Sequence, residues 1–444
     1  MDCDVVVVGL GPGGEEVAEK LVEAGLAVVG IEAELVGGEC PYWGCIPSKM
    51  MVRAADLLAE GRRIPGMAGS SIITPDCAPV ARRIRDEATD SWDDKVAVDR
   101  FVDKGGHFIR GRARVLSDSS VEVDGQQITA KRALVLATGA HAFVPPMFAA
   151  IPHWTNREAI ATETVPASLI VVGGGAVGLE IGQVMARFGA TVTIVEMGER
   201  LAGPEEPEVS TLLTDILRRE GIGVRTGVEI ERAEFSEATG CTVTLADGSS
   251  VSAERVLVAT GRRSDLAGLG VGALALDETA HSVPVDTHMR VMPGVWAVGD
   301  LTGKGAFTHL AMYQARICVA DILGHPIGEA DYRALPRVTF TDPEIGSVGM
   351  TEAAARASGG EVRVMSEPIS ESARGWINKS EGLVKLVEQN GVLVGATSMG
   401  PCGGEVLGLL TLAVHAQIPV STLKEMIYAY PTFYRAIDSA LWSS

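Results

Sequence analysis

Short apolar runs recur along the chain, and the first of them ends directly in a glycine-rich turn. Residues 4–8 form this run, residues 9–14 read Gly-Leu-Gly-Pro-Gly-Gly, and residues 15–24 repeat apolar positions with the period of a helix. A second apolar run at 27–31 follows and ends in Glu32. Continuous apolar runs of this length are typical of buried strands in parallel sheets. The pattern predicts an α/β protein that opens with a strand–helix–strand unit.

The spacing of the glycines in this turn indicates a dinucleotide site. Gly9, Gly11 and Gly14 form the pattern G-x-G-x-x-G between the strand and the helix. The first glycine permits the tight turn, the second lets the backbone approach a pyrophosphate, and the third lets helix and strand pack closely. In such a site the helix N-terminus faces the anion, and an acid at the position of Glu32 accepts hydrogen bonds from ribose hydroxyls. Glycine-rich turns are common, so this single match is a weak signal.

The whole unit recurs 164 residues later, from Gly9 to Gly173. The second copy has an apolar run, glycines at Gly173, Gly175 and Gly178, a helical stretch, and the acid Glu196 at the end of the next apolar run. A chance match would not repeat strand, glycines, helix and terminal acid in register. The repeat predicts two dinucleotide sites in one chain.

Three further apolar runs end in turns of the kind found at strand ends of an α/β sheet. Residues 133–139 and 256–261 both finish in Ala-Thr-Gly, and residues 295–300 finish in Asp300, before a helix-like segment from about Thr308. Each alone fits an ordinary strand end. What distinguishes them is their order: the first run lies between the two glycine units and the other two lie after the second unit.

Length, composition and charge limit the partners that we expect. The chain has 444 residues, of which 46% are hydrophobic and 21% charged, which suffices for two to four domains. A formal charge of −19 argues against nucleic acid or an anionic membrane as the main partner. No apolar run reaches the roughly 18 residues of a membrane span, and the N-terminus lacks a basic signal-peptide region. We therefore expect a cytoplasmic protein.

Cys40 and Cys45 lie in the stretch Gly-Gly-Glu-Cys-Pro-Tyr-Trp-Gly-Cys-Ile-Pro-Ser-Lys, which ends at Lys49. They could be zinc ligands, a structural disulfide, buried residues or a redox pair. Zinc would need a second pair of Cys or His residues at metal-ligand spacing, and none follows. Seven cysteines scattered through a long chain do not resemble a secreted disulfide scaffold, and a passive disulfide is disfavoured in the cytosol.

This stretch resembles the G-G-x-C-x-x-x-x-G-C-x-P-S-K pattern of the pyridine nucleotide–disulfide oxidoreductases, a family of flavoproteins. Residues 338–349 likewise resemble the start of the family's C-terminal domain. The resemblance implies an α/β fold with two Rossmann-like dinucleotide-binding domains, for FAD and for NAD(P), and a C-terminal α+β dimerisation domain. It implies an FAD-binding domain at 1–145 and 266–330, an NAD(P)-binding domain at 146–265, and a dimerisation domain at 331–444.

The same resemblance assigns cofactors to the two glycine units. FAD is implied at the first unit and at Asp300, and a nicotinamide cofactor at the second. Glu196 would bind ribose hydroxyls and repel a 2′-phosphate, so we expect NADH rather than NADPH, although Arg200, Arg262 and Arg263 oppose this preference. The remaining implied cofactor contacts are Thr138, Gly139, Gly261 and His309.

In the family, the second cysteine of the motif contacts the flavin and the first exchanges with the substrate. By this resemblance Cys45 is the flavin-contacting thiolate, Cys40 is the interchange thiol, and the two form a redox disulfide. Lys49 is expected near the flavin N5 and paired with Glu180, which follows the second glycine unit. A solvated lysine and a glutamate on a helix face are the alternative for the last two residues.

The C-terminal segment departs from the family pattern. Family members have a His-Pro-Thr segment, which reaches in from the other subunit of a homodimer, and a glutamate five residues on that orients the imidazole. Here Tyr430 stands at the histidine and Arg435 at the glutamate, and no histidine follows His415. Tyrosine has a reference pKa of about 10, so it is a poor base at neutral pH but can donate a hydrogen bond or a proton. Tyr42 and Trp43 add two rings between the cysteines, which either line the substrate approach or pack with Tyr430.

These observations favour an FAD-dependent NAD(P)H:acceptor oxidoreductase. Electrons would pass from NADH through FAD to Cys40 and Cys45, and on to a small disulfide or related sulfur compound. Two alternatives stay open: a quinone or metal-ion reductase that uses the flavin directly, and a redox-sensing flavoprotein whose disulfide state controls a partner. Mercury is a poor substrate candidate, because the sequence ends in Leu-Trp-Ser-Ser without the cysteine pair of mercuric reductase.

Overall fold

The computed structural model describes residues 1–443. Its main sheets consist of apolar strands, several of which end in glycine turns. Its residues group into two compact units. The first comprises Met1–Ser48, Pro79–Phe143 and Gly261–Asp331, and the second comprises Lys49–Ala78, Val144–Thr260 and the residues from Tyr332 onward. The domain boundaries expected from the sequence stay a prediction.

The first unit is built on an eight-stranded sheet. Its continuous strand order is Arg290–Met292, Val295–Ala297, Gln126–Leu136, Asp2–Val8, Val28–Glu32 and His107–Arg110, with Ala113–Ser117 and Ser120–Val123 added beside Gln126–Leu136. Asp2–Val8 pairs in parallel with both neighbours, and residues 5–7 are fully buried. The first apolar run is therefore a central strand that is covered on both faces.

Helices connect the strands of the first unit. Those that lie wholly within it are Pro12–Glu23, Glu39–Trp43, Lys95–Asp103, Leu266–Leu269 and Thr308–Leu323. Two others cross a unit boundary along the chain, Cys45–Arg63 and Ala78–Arg83. One π-helical turn is present, Ile84–Ala88. The 3-10 turns are Asp90–Trp92, Val271–Leu274 and Gly299–Thr302. A short ribbon pairs His141–Ala142 with Arg262–Arg263.

The second unit begins with the repeat of the glycine unit. Its four-stranded parallel sheet has the order Gly223–Thr226, Thr191–Glu196, Ser168–Val172 and Arg255–Val258. A three-stranded antiparallel sheet consists of Ile230–Ser236, Gly240–Leu245 and Ser250–Ala253. The helices of this part are Pro146–Ala149, Asn156–Ala161, Ala176–Phe188 and Pro207–Arg219. Ser168–Val172 is buried at residues 169–172, as a central parallel strand requires.

The C-terminal part of the second unit is an antiparallel sheet with helices. The five strands have the order Pro336–Thr339, Glu344–Gly349, Val392–Gly400, Leu383–Gln389 and Val362–Pro368. The helices are Glu352–Ser358, Ala373–Asn378, Gly403–His415, Val420–Lys424 and Arg435–Trp442, and Ile369–Glu371 is a 3-10 turn. The predicted fold class, α/β with a C-terminal α+β part, is confirmed. Within residues 1–443, no helix combines the length and apolarity needed to cross a bilayer.

Candidate active site

The two glycine turns have nearly the same backbone geometry. Gly9 has a φ of +91° and Gly173 a φ of +112°, values that favour glycine. A Cβ atom at Gly9 would lie 2.4 Å from the carbonyl oxygen of Ala137, and one at Gly173 would lie 2.3 Å from that of Ala259. Both turns therefore exclude any side chain at their first glycine.

The third glycine of each turn lets the helix pack against the strand. A Cβ atom would lie 2.0 Å from the carbonyl oxygen of Gly9 if Gly14 were substituted. The corresponding distance from Gly178 to the carbonyl oxygen of Gly173 is 2.1 Å. The sequence pattern thus has its expected steric cause in both copies.

The second glycine of each turn is the N-cap of a helix and leaves the approach to its first turn open. Gly11 precedes Pro12–Glu23 and Gly175 precedes Ala176–Phe188, and neither helix has a side-chain cap there. No atom lies within 4 Å of a Cβ atom built on Gly175, and the nearest to one on Gly11 is at 3.9 Å. Uncapped first-turn N–H groups and the helix dipole suit the pyrophosphate of a dinucleotide.

Glu32 and Glu196 occupy equivalent places, and backbone N–H groups hold both carboxylates. The donors are Leu10 and Glu34 for Glu32, at 2.7 and 2.8 Å, and Gly174 and Gly198 for Glu196, each at 2.5 Å. Burial raises the pKa of Glu32, and its two N–H donors oppose that rise. Each carboxylate is therefore fixed at the end of its strand.

Asp300 lies in the 3-10 turn Gly299–Thr302, whose first N–H donates to the buried amide of Gln314 at 2.8 Å. Burial raises the pKa of Asp300, and the guanidinium of Arg262, 3.4 Å from its carboxylate, opposes this. Arg262 also lies 3.5 Å from Glu39. Arg262, one of the three arginines that could favour NADPH, is therefore paired with carboxylates of the first unit.

Three of the other implied cofactor contacts lie in the Ala-Thr-Gly turns, and the fourth, His309, lies at the start of a helix. Gly139 has a φ of +65° and Gly261 a φ of +118°, so both Ala-Thr-Gly turns end in a backbone conformation that favours glycine. Thr138 is partly buried in the first of these turns. His309 is exposed in the first turn of Thr308–Leu323 and stacks on Phe307 with ring centroids 5.2 Å apart.

Cys40 and Cys45 come together as two hydrogen-bonded thiols. Cys40 lies in the short helix Glu39–Trp43, and Cys45 begins the helix Cys45–Arg63 after Gly44. The pKa of Cys40 is raised, first by its hydrogen bond to Cys45 and then by burial, while a hydrogen bond to Thr308 lowers it in part. The Sγ atom of Cys45 lies 3.3 Å from the Thr308 hydroxyl. Within residues 1–443, no cluster of three or more acidic, His or Cys groups is arranged to hold a metal ion.

Lys49 and Glu180 form an ion pair in the second unit. Lys49 Nζ lies 2.7 Å from Glu180 Oε2, and Glu180 Oε1 accepts a hydrogen bond from the backbone N–H of Phe340 at 2.9 Å. The ammonium group also lies 4.6 Å from the centroid of the Phe340 ring. Only 6% of the Glu180 side chain is exposed, against 35% for Lys49. The carboxylate is held inside the fold, and the lysine remains partly accessible.

The aromatic rings of Tyr430, Tyr42 and Trp43 differ in their exposure to solvent and in the residues that they contact. Tyr430 is 72% exposed, and the Arg435 guanidinium lies 5.7 Å from its ring centroid. Tyr42 is 6% exposed, and burial raises its pKa to about 12. Because Tyr42 is buried, it does not line an open approach to the cysteines. Trp43 stacks on Trp92 with ring centroids 5.2 Å apart.

Two residues that contact the segment from Cys40 to Cys45, Thr308 and Trp92, were not identified from the sequence. Both come from segments far from residue 45 in the chain, so no local spacing could reveal them. The N-terminal position of Thr308 in a predicted helix was the only available signal for it. Trp92 had none, since it lies in an irregular turn.

Two glycine turns of the dinucleotide-binding type together with a hydrogen-bonded thiol pair are typical of disulfide oxidoreductases that bind two dinucleotides. Residues 3–315 match the family model described as pyridine nucleotide-disulphide oxidoreductase, and residues 335–441 match the dimerisation domain of that family. The chain is a member of the pyridine nucleotide-disulphide oxidoreductase family. It is accordingly a flavin-dependent enzyme for which FAD and a pyridine nucleotide are expected, and the dimerisation domain indicates a homodimer.

Named relatives cover almost the whole chain. A mercuric reductase from Bacillus cereus is 30% identical over 451 residues, which are 99% of this chain and 71% of that protein. A dihydrolipoyl dehydrogenase from Chlorobaculum tepidum is 31% identical over 461 residues, which are 99% of this chain and 97% of that protein. The solved Cu(II) complex of the HOCl-induced flavoprotein disulfide reductase RclA from Escherichia coli has a TM-score of 0.88 at 24% identity and covers 99% of both chains. The last comparison shows a shared fold.

Proposed function

We propose that this enzyme passes electrons from NADH, through FAD, to Cys40 and Cys45 and then to a small disulfide or related sulfur compound. The observation that supports this most is the hydrogen-bonded thiol pair, in which Cys45 also contacts the Thr308 hydroxyl. Bound FAD would supply the two-electron link between the nicotinamide and the protein disulfide. The protein disulfide takes up two electrons and two protons to give two thiols. When these thiols reduce a substrate disulfide, they are oxidised back to the protein disulfide.

In this proposal Cys40 is the interchange thiol and Cys45 the thiol next to the flavin. Cys40 attacks the substrate disulfide as a thiolate, which forms a mixed disulfide and releases one substrate thiol. Cys45 then attacks Cys40, which restores the protein disulfide and releases the second. Each departing sulfur needs a proton, and Tyr430 is the proposed donor in place of an imidazole. Lys49, held by Glu180, would contribute positive charge near the flavin N5.

The preference for NADH rests on Glu196 and on the engagement of Arg200. The Glu196 carboxylate, at the end of its strand, would repel the 2′-phosphate of NADPH. Arg200 donates hydrogen bonds to the carbonyl oxygens of Glu205 and Gly203, both at 2.6 Å, and to the Ser210 hydroxyl at 3.0 Å. A guanidinium held by three protein oxygens is a weak candidate for phosphate binding, so we propose NADH over NADPH.

The assembly that we propose is a homodimer in which Tyr430 acts in the active site of the partner subunit. The dimerisation domain and the high exposure of Tyr430 support it. We propose a cytoplasmic location, because a thiol pair that cycles through a disulfide suits a compartment that keeps other thiols reduced.

Anaerobic titration with NADH tests the proposed function. If the cysteines accept the electrons, the protein should develop long-wavelength absorbance from a thiolate beside the flavin after two electrons. Immediate bleaching of the flavin without that absorbance would favour a quinone or metal-ion reductase. Absorbance without turnover on a panel of small disulfides would instead favour a redox-sensing flavoprotein.

A further inference from the structure

The cysteine stretch packs on a turn that the proposed function does not use. We call residues 37–45 the redox loop and residues 89–94 the aromatic turn; both belong to the first unit. The indole rings of Trp43 in the redox loop and Trp92 in the aromatic turn stack with 5.2 Å between centroids and 13° between planes. Offset parallel stacking at this distance is an attractive arrangement for two large rings.

The backbone of the aromatic turn is strained. Asp90, Ser91 and Trp92 have φ values of +47°, +58° and +60°, and none of them is glycine. Consecutive residues in this left-handed region are rare, because each places its Cβ against the backbone. The turn follows the π-helical turn Ile84–Ala88, and the buried Thr89 hydroxyl donates to the carbonyl oxygen of Ile84 at 3.0 Å. Strain of this kind persists only where its surroundings impose it, and it often marks a functional constraint.

Two more contacts join the aromatic turn to the neighbourhood of the cysteines. The Nε1–H of Trp92 donates to the carbonyl oxygen of Tyr42 at 3.4 Å. The buried carboxylate of Asp94 accepts a hydrogen bond from the backbone N–H of Val36 at 2.7 Å, just before the redox loop. The turn therefore contacts the chain just ahead of Cys40 and again between Cys40 and Cys45.

Only Gly44 separates Trp43 from Cys45, so the position of the Trp43 ring bears directly on the geometry of the two thiols. Gly44 has φ −138° and ψ −117° and joins two helices, of which the first has only five residues. A five-residue helix has little stability of its own. The stack on Trp92 and the hydrogen bond from Trp92 to the Tyr42 carbonyl oxygen both act at its C-terminal end.

We propose that Trp92 is a positioning residue for the redox pair: its ring holds Trp43 and thereby fixes the sulfur atoms of Cys40 and Cys45 relative to each other. This inference rests on the proposed function only in taking these cysteines as the redox pair. In this proposal, the strained backbone of the aromatic turn holds the Trp92 ring nearly parallel to the Trp43 ring.

Loss of the Trp92 ring should loosen the redox loop, and two measurable properties should then change: the pKa of Cys40 and the long-wavelength absorbance. The pKa of Cys40 is raised by its hydrogen bond to Cys45 and by burial, and a looser loop weakens both causes. A fall of about one unit in that pKa would raise the thiolate fraction, and with it the rate of alkylation, by about tenfold. The long-wavelength absorbance should fall at the same time, because it requires Cys45 to stay in contact with the flavin.

The experiment compares Trp92→Ala with Trp92→Phe, which keeps a ring, and with Trp376→Ala, which removes an exposed tryptophan of the second unit. Each protein is reduced, its long-wavelength absorbance is recorded, and the alkylation rate of Cys40 is followed by peptide mass spectrometry. We expect Trp92→Ala to lose about half or more of the absorbance and to alkylate about tenfold faster. Trp92→Phe should recover most of both properties, and Trp376→Ala should match the wild type.

Unchanged absorbance and alkylation in Trp92→Ala would overturn the inference, as would a variant that only slows flavin reduction by NADH. If Trp92→Ala fails to retain FAD, Trp92→Leu keeps an apolar side chain without a ring face, and the same two measurements decide on it. A wild type without long-wavelength absorbance would count against the proposed function. The alkylation comparison, made after chemical reduction, would still support or overturn the role of Trp92.

Discussion

At the scale of single residues, Cys40 must lose a proton before it can attack a disulfide. Its thiol is partly buried and hydrogen-bonded to Cys45, and both conditions raise its pKa above the ordinary value of about 8.5. A raised pKa leaves less thiolate at neutral pH. The exchange step of this enzyme should therefore depend on pH more steeply than in a site with a positioned imidazole.

We predict that the alkylation rate of Cys40 in the reduced enzyme rises about tenfold per pH unit between about pH 7 and pH 9. The sign follows from the raised pKa, since the reactive thiolate keeps increasing until the pH reaches that value. Iodoacetamide trapping with peptide mass spectrometry across the pH range measures it. A plateau reached below about pH 7.5 would show that another group ionises this thiol.

Glu196 is the residue that should determine the choice of nicotinamide cofactor. We predict that Glu196→Ala lowers the ratio of kcat/KM for NADH over NADPH by about tenfold, because a repulsion of about 1.4 kcal/mol with the 2′-phosphate disappears. Steady-state kinetics with both cofactors measure the ratio, and Glu32→Ala serves as the matched change in the first glycine unit. A wild type that prefers NADPH would contradict the proposed role of Glu196.

At the scale of elements, the sequence predicts best what is local and repeated. Both glycine turns, their buried strands and the acids at Glu32 and Glu196 follow from spacing alone, because a tight turn excludes side chains at fixed positions. The stack of Trp43 on Trp92 and the contact of Cys45 with Thr308 were not predictable in this way. They join segments that are distant along the chain, and only the folded sheet brings them together.

The repeat allows a matched test of the two dinucleotide sites. We predict that Gly14→Ala weakens FAD binding by about tenfold or more, since the added Cβ would meet a carbonyl oxygen of its own turn. Gly178→Ala should leave the FAD content unchanged and weaken NADH binding instead. FAD retained after ultrafiltration and the Kd for NADH measure the two effects. A loss of FAD from Gly178→Ala alone would reverse the assignment of the two turns.

At the scale of the whole molecule, the proposed role of Tyr430 depends on the homodimer. Tyr430 and Ile427 are 72% and 96% exposed, so both side chains are accessible to a partner subunit. The Arg435 guanidinium lies over the face of the Tyr430 ring, which keeps the hydroxyl free of that contact. In the proposed dimer, the hydroxyl is the group of Tyr430 that would act on a partner subunit.

We predict that Tyr430→Phe slows disulfide exchange by about 10- to 100-fold while flavin reduction by NADH stays nearly unchanged. The substitution removes the proposed proton donor and leaves the ring. Stopped-flow measurement of the two half-reactions separates them. Tyr428→Phe is the control: the buried Tyr428 hydroxyl donates to the carbonyl oxygen of Leu423, so its loss should lower stability and leave both half-reactions unchanged. Equal slowing of both half-reactions by Tyr430→Phe would mean that Tyr430 supports the fold.

The most direct test of the central claim, that Cys40 and Cys45 take electrons from the flavin, is the visible spectrum of two serine variants under anaerobic conditions. Cys45→Ser should show no long-wavelength absorbance at any stage of an NADH titration. Cys40→Ser leaves Cys45 as an unpaired thiol and should show that absorbance before NADH is added. If the wild type and Cys45→Ser bleach identically, and neither absorbs at long wavelength, the two cysteines do not take part in electron transfer.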